Sequence, residues 1–371
     1  MSSINVQSTG LIYRNPKPHV RSVHAYFPSL AALDNGDLLC TGVLGEAFEA
    51  HNCRTHVFRS TDRGQTWVHE GPIYPGPPHP LMSDFSRITA LGKGKVVAMM
   101  VRQDRRDLPD EGLANPETMG FAPGEVLMLR SEDYGKTWSE PVRQTPPLEG
   151  PEFELCSPIN VLPDGRWVWS TSTWFDWAGN CPNGLHLVGW VSEDEGETWS
   201  SYMDVMHEAG NRTFFWESKI IDLKDGQLLA NAWVYDDVAK ADRPNEYALS
   251  GDGGESWTAP MSTGLHGQTM TPITLDDGRI LSVYRRTDEP GLWANLSRVE
   301  GTTWINETTT PIWGQRAAGL IGDTGNMANN FAVLRFGAPC LVKLDDGVIY
   351  GAFWCYEDCV SVLRWFTLTV G

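Results

Sequence analysis

The octapeptide SEDYGKTW at residues 131–138 recurs along the chain with the same spacing of serine, aspartate, glycine and tryptophan. Related segments are STDRGQTW at 60–67, SEDEGETW at 192–199 and SGDGGESW at 250–257, while SRVEGTTW at 297–304 lacks only the aspartate of this set. The aspartate can accept hydrogen bonds from backbone amides two or three residues on, and the glycine supplies the positive φ of a tight turn. The octapeptide is therefore predicted to form a hairpin turn, and its recurrence predicts a repeat protein.

A second pattern lies between these turns, in which an apolar strand, a short polar turn and another apolar strand follow one another. The six segments are residues 29–43, 87–101, 158–172, 218–233, 272–284 and 340–353. Successive octapeptide tryptophans are 71, 61, 58 and 47 residues apart, which is typical of a four-stranded blade with its loops. The sequence therefore predicts an all-β, six-bladed β-propeller that forms a single domain over residues 1–371. The sixth segment has no octapeptide, so LIYR at 11–14 is predicted to supply its outer strand.

The octapeptides resemble the Asp-box, or BNR repeat, of the sialidase superfamily, and the resemblance extends over essentially the whole chain. It implies a sialidase-like propeller with Asp-box hairpins and an activity on carbohydrate. Sialidases hold the sugar carboxylate with three arginines, use a tyrosine activated by a glutamate as nucleophile, and protonate the leaving group with an aspartate. The turns themselves say little about activity, because a fold does not carry a function by itself.

Only one of four sialidase positions that can be matched is retained in this chain. Glu217, in FFWESKIIDLKDG, matches the family glutamate. Tyr26 stands in place of the first arginine, Trp233 in place of the second, and Ala338 or Pro339 in place of the nucleophilic tyrosine. Uncharged residues cannot form the bidentate guanidinium pair that holds a carboxylate. The chain is therefore predicted to be a divergent member that acts on another terminal sugar, acidic or modified.

In a propeller of this kind the pocket is expected at the axis, beside the start of each first strand and the end of each second strand. The predicted catalytic residues at these positions are Glu217, Asp104, Asp236 and Tyr235. The predicted substrate-binding residues are Arg87, Arg102, Arg285, Arg335, His24, Trp174, Trp233 and Trp354. Aromatic rings cover the apolar face of a sugar, and glycoside cleavage needs two carboxyl groups across the bond. No metal site and no cofactor are predicted.

The favoured function is an exo-acting glycoside hydrolase, and two alternatives stay open. One is a propeller that binds glycans without catalysis. The other is a polysaccharide lyase, in which His24 or Tyr235 is the base and Arg285 neutralises a uronate. Two carboxyl groups within about 10 Å of each other favour the hydrolase.

The net charge of −18 argues against nucleic acid and anionic membranes as partners, because the field of the protein repels them. The predicted partner is a carbohydrate substrate, and the oligomeric state is left open. The N-terminal MSSINVQSTG lacks the basic and apolar regions of a signal peptide, so a cytoplasmic location is the default expectation. A secreted or periplasmic location is expected instead if a leader preceded this sequence.

Overall fold

A computed structural model describes residues 2–75, 81–210, 212–224, 226–317, 320 and 331–371. Its named elements are 25 β-strands, which form six antiparallel sheets. Sheets are numbered here in chain order. Within the described residues, no helix is long and apolar enough to cross a membrane.

The chain divides into two compact units. Unit 1 comprises Met1–Asn5, Thr145–Leu334 and Val370–Gly371, and unit 2 comprises Val6–Gln144 and Arg335–Thr369. Sheets 3, 4 and 5 belong to unit 1, whereas sheets 1 and 2 and nearly all of sheet 6 belong to unit 2. The prediction of a single domain is not tested by this division and stays a prediction.

Unit 2 contains the first two sheets and the last. Sheet 1 has the order β2 (His24–Ala32), β3 (Leu38–Gly45), β4 (Arg54–Ser60), β5 (Val68–Pro72). Sheet 2 has the order β6 (Met82–Gly92), β7 (Lys95–Asp104), β8 (Gly124–Ser131), β9 (Val142–Arg143). Sheet 6 has the order β1 (Ile4–Tyr13), β25 (Val360–Val370), β24 (Ile349–Glu357), β23 (Phe336–Lys343).

Unit 1 contains the three central sheets of the chain. In sheet 3, β10 (Glu152–Phe153) and β11 (Ile159–Val161) both pair with β12 (Trp167–Trp174), followed by β13 (His186–Ser192) and β14 (Ser201–His207). Sheet 4 has the order β15 (Thr213–Lys224), β16 (Gln227–Asp236), β17 (Ala241–Ser250), β18 (Met261–Ser262). Sheet 5 has the order β19 (Gly267–Thr274), β20 (Ile280–Arg286), β21 (Leu292–Glu300), β22 (Thr303–Trp313).

All six predicted hairpins form, and each joins the first and second long strands of one sheet. The N-terminal segment supplies the outer strand of sheet 6, as predicted, although β1 is longer than the predicted segment and ends before Arg14. Most residues of the long second strands are buried. In β3, for example, all eight residues are buried.

Apolar side chains between consecutive sheets form the core of each unit. In unit 2, Leu39 of sheet 1 and Ile88 of sheet 2 belong to one buried cluster. In unit 1, Val168 of sheet 3 packs in a cluster with Ile220 of sheet 4. Within each unit, neighbouring sheets therefore bury apolar faces against one another, which no single hairpin can do alone.

The four complete octapeptides form the same turn between the third and fourth strands of sheets 1 to 4. In the first, Asp62 Oδ1 accepts hydrogen bonds from the Thr66 amide at 2.9 Å and from Ser60 Oγ at 2.7 Å. Asp62 Oδ2 accepts a further bond from Thr66 Oγ1 at 2.6 Å. The Thr66 amide lies four residues after the aspartate, and in the second octapeptide the Lys136 amide, three residues after Asp133, also donates to Asp133 Oδ1 at 3.1 Å, as predicted. The turn is closed by its own side chains.

The glycine of this turn is required for packing as well as for conformation. Gly64 has a φ of 84°, which is left-handed, and a Cβ there would lie 2.3 Å from the ring of Tyr350. Trp67 Nε1 donates to the Gly64 carbonyl at 3.1 Å and to Tyr350 Oη at 3.2 Å. Trp67 thus binds the turn to Tyr350 of the neighbouring sheet 6.

Candidate functional site

Four first strands carry a β-bulge at the same place, and a non-glycine residue with left-handed backbone occupies it. These residues are Phe27 (φ 49°), Glu217 (φ 50°), Thr269 (φ 55°) and Ala338 (φ 47°). In each case two consecutive residues of the first strand lie unpaired opposite one residue of the second strand. Left-handed backbone costs an L-residue roughly 1–2 kcal/mol, and such strain concentrates at functional sites. The bulge therefore marks equivalent candidate positions in sheets 1, 4, 5 and 6.

The bulge at Glu217 removes its backbone groups from the ladder, and two charged side chains bind them instead. The Glu217 amide donates to Glu154 Oε2 at 3.0 Å. The Glu217 carbonyl accepts from Lys219 Nζ at 2.9 Å. Both Glu154 and Lys219 are buried. The conformation of Glu217 is therefore fixed by side chains from sheets 3 and 4.

A hydrogen-bonded chain of side chains leads from Trp233 to Arg285 beside Glu217. Trp233 Nε1 donates to Asp242 Oδ1 at 2.7 Å, and Gln268 Nε2 donates to Asp242 Oδ2 at 2.5 Å. Gln268 Oε1 in turn accepts a hydrogen bond from the Arg285 guanidinium. We call Glu154, Glu217, Asp242, Gln268 and Arg285 the Glu217 cluster.

Arg285 is a buried cation, 6% exposed. Burial lowers the pKa of its guanidinium to about 10, and the negative charges of Glu217 and Asp242 act in the opposite direction. A buried charge needs such partners to be tolerated. The two carboxylates therefore keep Arg285 charged inside unit 1.

The carboxylate of Glu217 differs from that of Asp242 in its hydrogen bonding. Glu217 is half-buried, and its carboxylate oxygens accept no hydrogen bond from any described residue. Asp242, in contrast, uses both oxygens to hold Trp233 and Gln268. The acceptor positions of Glu217 are thus open to a ligand or to water.

The tryptophans around this cluster form a packed stack. Trp216 and Trp233 are cross-strand partners with ring centroids 5.2 Å apart and planes 13° apart. Trp174 packs on Trp216 at 4.3 Å. Trp174 is fully buried, and Trp216 and Trp233 are 4% and 6% exposed. Their arrangement supports the Glu217 bulge, and Trp233 acts through its bond to Asp242 rather than through an exposed ring face.

Tyr235 and Asp236, both predicted as catalytic, end β16 in other surroundings. Tyr235 is 6% exposed and packs on Phe214 at a centroid distance of 5.9 Å. Asp236 Oδ1 accepts hydrogen bonds from the amides of Val238 and Ala239, both at 2.9 Å. These amides hold the pKa of the Asp236 carboxyl below its usual range. Asp236 thus caps its own turn.

In unit 2, His24 and Trp354 lie in an aromatic cluster around Tyr26. Tyr26 is fully buried, and its hydroxyl lies 2.9 Å from the hydroxyl of Tyr356. Burial and this bond raise the pKa of Tyr26 far above its usual range. His24 Nδ1 accepts a hydrogen bond from the Ser361 amide at 3.1 Å, and burial lowers the pKa of the His24 imidazole. Because Nδ1 is the acceptor of this bond, the neutral form of the His24 imidazole carries its proton on Nε2.

Three phenylalanines of unit 2 combine ring contacts with partial exposure. Phe27, the bulge residue of sheet 1, lies 5.2 Å from Phe48 and 5.6 Å from Phe85, and all three are half-buried. Trp354 packs on Phe48 at 5.2 Å but is only 1% exposed. We call Phe27, Phe48 and Phe85 the phenylalanine patch.

The predicted arginines of unit 2 have separate partners. Buried Arg87 donates to the Phe27 carbonyl at 3.2 Å and so holds the sheet 1 bulge. The Arg335 guanidinium lies 5.7 Å from the centre of the Tyr356 ring. Arg102 has a buried Nε that donates to no described group.

Asp104, the remaining predicted catalytic residue, lies at the end of β7. Its carboxylate forms an ion pair with the guanidinium of Arg106 and accepts a 3.0 Å hydrogen bond from the Arg106 amide. Nearby in sheet 2, the buried carboxylate of Asp84 accepts from the Thr55 amide at 2.7 Å and lies 3.8 Å from Arg54 Nε. Burial raises the pKa of Asp84.

The structure thus brings Glu217, Arg285 and Trp233 together in unit 1, and His24, Trp354 and Arg335 around the Tyr26–Tyr356 pair in unit 2. Sequence reasoning missed Asp242, Tyr356, Phe27 and Phe48. Asp242 has no motif around it, and it reaches the cluster because β17 crosses beside Trp233 of β16. The only sequence signal for Phe27 is that it precedes Pro28 near the start of a predicted first strand.

Similar proteins were found among solved structures. A protein of unknown function from Dyadobacter fermentans matches with a TM-score of 0.75 and 20% identity over 99% of both chains. Trypanosoma rangeli sialidase in complex with sialic acid matches with a TM-score of 0.65 and 17% identity over 93% of this chain and 54% of that one. A mutant of NanB sialidase from Streptococcus pneumoniae matches with a TM-score of 0.64 and 12% identity, over 97% of this chain and 70% of that one.

No protein-family model matches the chain, and no curated protein matches it. The chain spans little more than half the length of the trypanosomal sialidase. At these identities the similarity establishes the fold. The predicted all-β, six-bladed, sialidase-like β-propeller is confirmed.

Proposed function

We propose that this protein is a glycoside hydrolase in which Glu217 is the acid–base carboxyl group. The proposal rests on the burial and the hydrogen bonding of the Glu217 carboxylate. It is half-buried beside the cation of Arg285, and it accepts no hydrogen bond from any described residue. A carboxylate that only stabilised the fold would be expected to spend its acceptors on donors of the protein, as Asp242 does.

The surroundings of Glu217 suit a group that exchanges a proton with water or with a glycosidic oxygen. Its backbone is held on both sides, by Glu154 and Lys219, so the carboxylate needs little reorganisation before reaction. When Glu217 acts as a base its carboxylate is ionised, and the positive charge of Arg285 offsets that negative charge. Glu154 supplies the second carboxyl group that glycoside cleavage requires, within the same cluster.

The proposed substrate is a terminal sugar that is acidic or modified. A buried guanidinium beside open carboxylate acceptors favours a ligand that has both hydroxyl groups and negative charge. The sialidase fold of the neighbours is consistent with a carbohydrate ligand, since one of those neighbours was solved with sialic acid.

A panel of aryl glycosides, including sialosides, hexosides and uronides, tests the proposal. We expect release of the aryl group from at least one member of the panel. The activity should elute together with the protein in gel filtration. Absence of release from every member, in protein whose circular dichroism shows folded β-structure, would contradict it. Formation of an unsaturated uronate from a polysaccharide would instead favour the lyase.

Glycan binding without catalysis is a second candidate, favoured by the phenylalanine patch. Half-buried aromatic rings that share contacts are a common platform for the apolar face of a pyranose. If the protein binds a glycan but cleaves no member of the panel, and Phe48→Ala weakens that binding, this candidate replaces the hydrolase.

A further inference from the structure

Two histidines and an aspartate form a cluster on the two outer strands of sheet 3. His186 begins β13, and Asp204 and His207 lie on β14. We call these three residues the His186 cluster. It shares no residue with the Glu217 cluster or the phenylalanine patch, so it does not depend on the proposed function.

A β-bulge creates the cluster. His186 and His207 are direct cross-strand partners, but Leu187 pairs with Met206 whereas Val188 pairs with Asp204. Val205 is therefore the extra residue. In a regular strand, residues three apart point to opposite faces. The bulge adds one step, so Val205 and Met206 are both buried while Asp204 and His207 are both exposed on the same face.

The ligand atoms converge on one carboxylate oxygen. His186 Nδ1 lies 2.9 Å and His207 Nδ1 lies 3.4 Å from Asp204 Oδ1. The two imidazole rings are stacked, with centroids 4.4 Å apart and planes 22° apart. All three ligand atoms lie within 4.8 Å of one another. In a tetrahedral zinc site with bonds of about 2.0–2.1 Å, neighbouring ligand atoms are about 3.3 Å apart, so little movement is needed.

The types of ligand atom in the His186 cluster indicate which metal ion it could bind. Two imidazole nitrogens and one carboxylate oxygen suit a divalent transition metal, whereas Mg²⁺ and Ca²⁺ prefer oxygen ligands alone. The side chains of His186, Asp204 and His207 are 26%, 40% and 53% exposed. Solvent can therefore reach the cluster and complete the coordination.

We propose that the His186 cluster binds Zn²⁺ with three protein ligands and a water molecule in the fourth position. The ion would join β13 to β14 across the bulge, where regular strand pairing is interrupted. Among the described residues, this is the only group of three or more histidine, cysteine or acidic side chains with that geometry.

Sheet 1 provides an internal control, because it also carries a histidine pair on its outer strands. His56 Nδ1 lies 2.9 Å from His69 Nε2. Within the described residues no carboxylate joins that pair as Asp204 joins His186 and His207. Burial lowers the pKa of His56 to about 4. The pair resembles the His186 cluster but lacks its third ligand.

The test is calorimetric titration of Zn²⁺ into the full-length, chelator-treated protein, with Co²⁺ as a spectroscopic probe. We expect one saturable Zn²⁺ site, a visible absorption band of tetrahedral Co²⁺, and no competition by excess Mg²⁺ or Ca²⁺. His207→Ala should abolish this site, and Asp204→Asn should weaken it at least tenfold. His69→Ala should leave it unchanged.

Three results would overturn the proposal: no saturable Zn²⁺ binding by the wild type, equal binding by His207→Ala, or loss of binding in His69→Ala alone. Asp204→Asn is nearly isosteric at an exposed position, so it tests the ligand set even if His207→Ala does not fold. Melting temperatures with and without Zn²⁺ give a second readout. The ion should raise the melting temperature of the wild type and of His69→Ala, but not of His207→Ala.

Discussion

The backbone amide of Glu217 donates a 3.0 Å hydrogen bond to Oε2 of Glu154, so a carboxylate of sheet 3 holds the bulge of sheet 4. A bulged amide has no partner in the ladder, and leaving it unpaired in this buried region would cost about 1–3 kcal/mol. Glu154 removes that cost and fixes the left-handed backbone of Glu217. The same hydrogen bond ties Glu154 to Glu217, the two residues proposed as the carboxyl pair.

We expect Glu217→Gln to lower kcat by about 10²-fold or more on any substrate found, with the fold and most ligand binding intact. Glutamine keeps the shape of the side chain but neither takes nor gives a proton at neutral pH. Asp242 remains to offset the charge of Arg285. Steady-state kinetics measures the effect, and Glu193→Gln, an exposed glutamate in an octapeptide turn, is the matched control. Wild-type turnover in Glu217→Gln would transfer the role to Glu154.

Backbone strain at Glu217 can be measured separately from its charge. Glu217→Ala and Glu217→Gly both remove the carboxylate, but only alanine retains the cost of a Cβ at a φ of 50°. We expect the glycine variant to be the more stable by about 1 kcal/mol in urea unfolding, although glycine usually destabilises a strand. If the alanine variant is the more stable, the left-handed conformation at Glu217 is wrong.

Asp242→Asn should disrupt the chain of hydrogen bonds that ends at Arg285. An asparagine amide would face the amide of Gln268, so one of the two bonds of the carboxylate is lost. We expect the free energy of unfolding to fall by about 1–3 kcal/mol. Asp236→Asn is the comparison, because its Oδ1 can still accept from the amides of Val238 and Ala239. Equal effects of the two substitutions would contradict a special role for Asp242.

The fold was predictable from sequence because its signals are local. An octapeptide turn is closed by its own aspartate, serine and threonine, and each long hairpin is marked by two apolar runs around a polar turn. The outer strand of sheet 6 could be predicted by comparing two numbers. The sequence has six hairpins but five octapeptides, so one sheet had to take its fourth strand from elsewhere in the chain. The turns and hairpins depend on residues within about a dozen positions of one another, whereas the outer strand of sheet 6 joins the two ends of the chain.

The site was only partly predictable, because it depends on register between distant strands. Glu217 was found through the sialidase resemblance. Asp242 and Gln268 meet only after two sheets pack together, and no spacing in the sequence records that contact. His186 and His207 are likewise brought together by strand pairing, and the bulge at Val205 defeats the alternation rule that would separate His207 from Asp204.

The roles of the tryptophans could likewise be assigned only from the structure. Trp174 and Trp354 lie where a sugar could be expected, yet they are 0% and 1% exposed. The sequence around a tryptophan does not show whether a neighbouring sheet covers its ring, so the burial of these two rings could not be predicted. Their burial makes them supports of the Glu217 bulge and of the Tyr26 cluster.

Asp133→Ala should lower the free energy of unfolding by about 1–2 kcal/mol and leave KM unchanged. Asp133 accepts bonds from the Thr137 amide at 2.8 Å, from Thr137 Oγ1 at 2.6 Å and from Ser131 Oγ at 2.9 Å, all within its own turn. Glu132→Ala, one residue away and exposed, is the control and should change stability by less than about 0.5 kcal/mol. Loss of catalysis by Asp133→Ala at an unchanged melting temperature would place the turn in the active site.

Acid should destabilise the protein through the same turns. Hydrogen bonds from the turn lower the pKa of Asp62 and of Asp194 to about 2, and those of Asp133 and Asp252 are also lowered. An unfolded aspartate has a pKa of about 3.9. A group whose pKa is lower in the folded state adds stability that is complete above its unfolded pKa and is lost as the pH falls through its folded pKa. We therefore expect the melting temperature to fall steeply between about pH 5 and pH 2, as scanning calorimetry would record.

The double variant Asp62→Asn, Asp194→Asn isolates the contribution of these turns to that acid slope. Each asparagine can still accept from the threonine amide through Oδ1, but its Nδ2 cannot accept from the threonine hydroxyl as Oδ2 does. We expect a lower melting temperature at neutral pH and a shallower fall in acid, because two groups with depressed pKa values no longer titrate. An acid slope as steep as that of the wild type would mean that other carboxylates, such as Asp204 or Asp288 with their cationic partners, dominate acid unfolding.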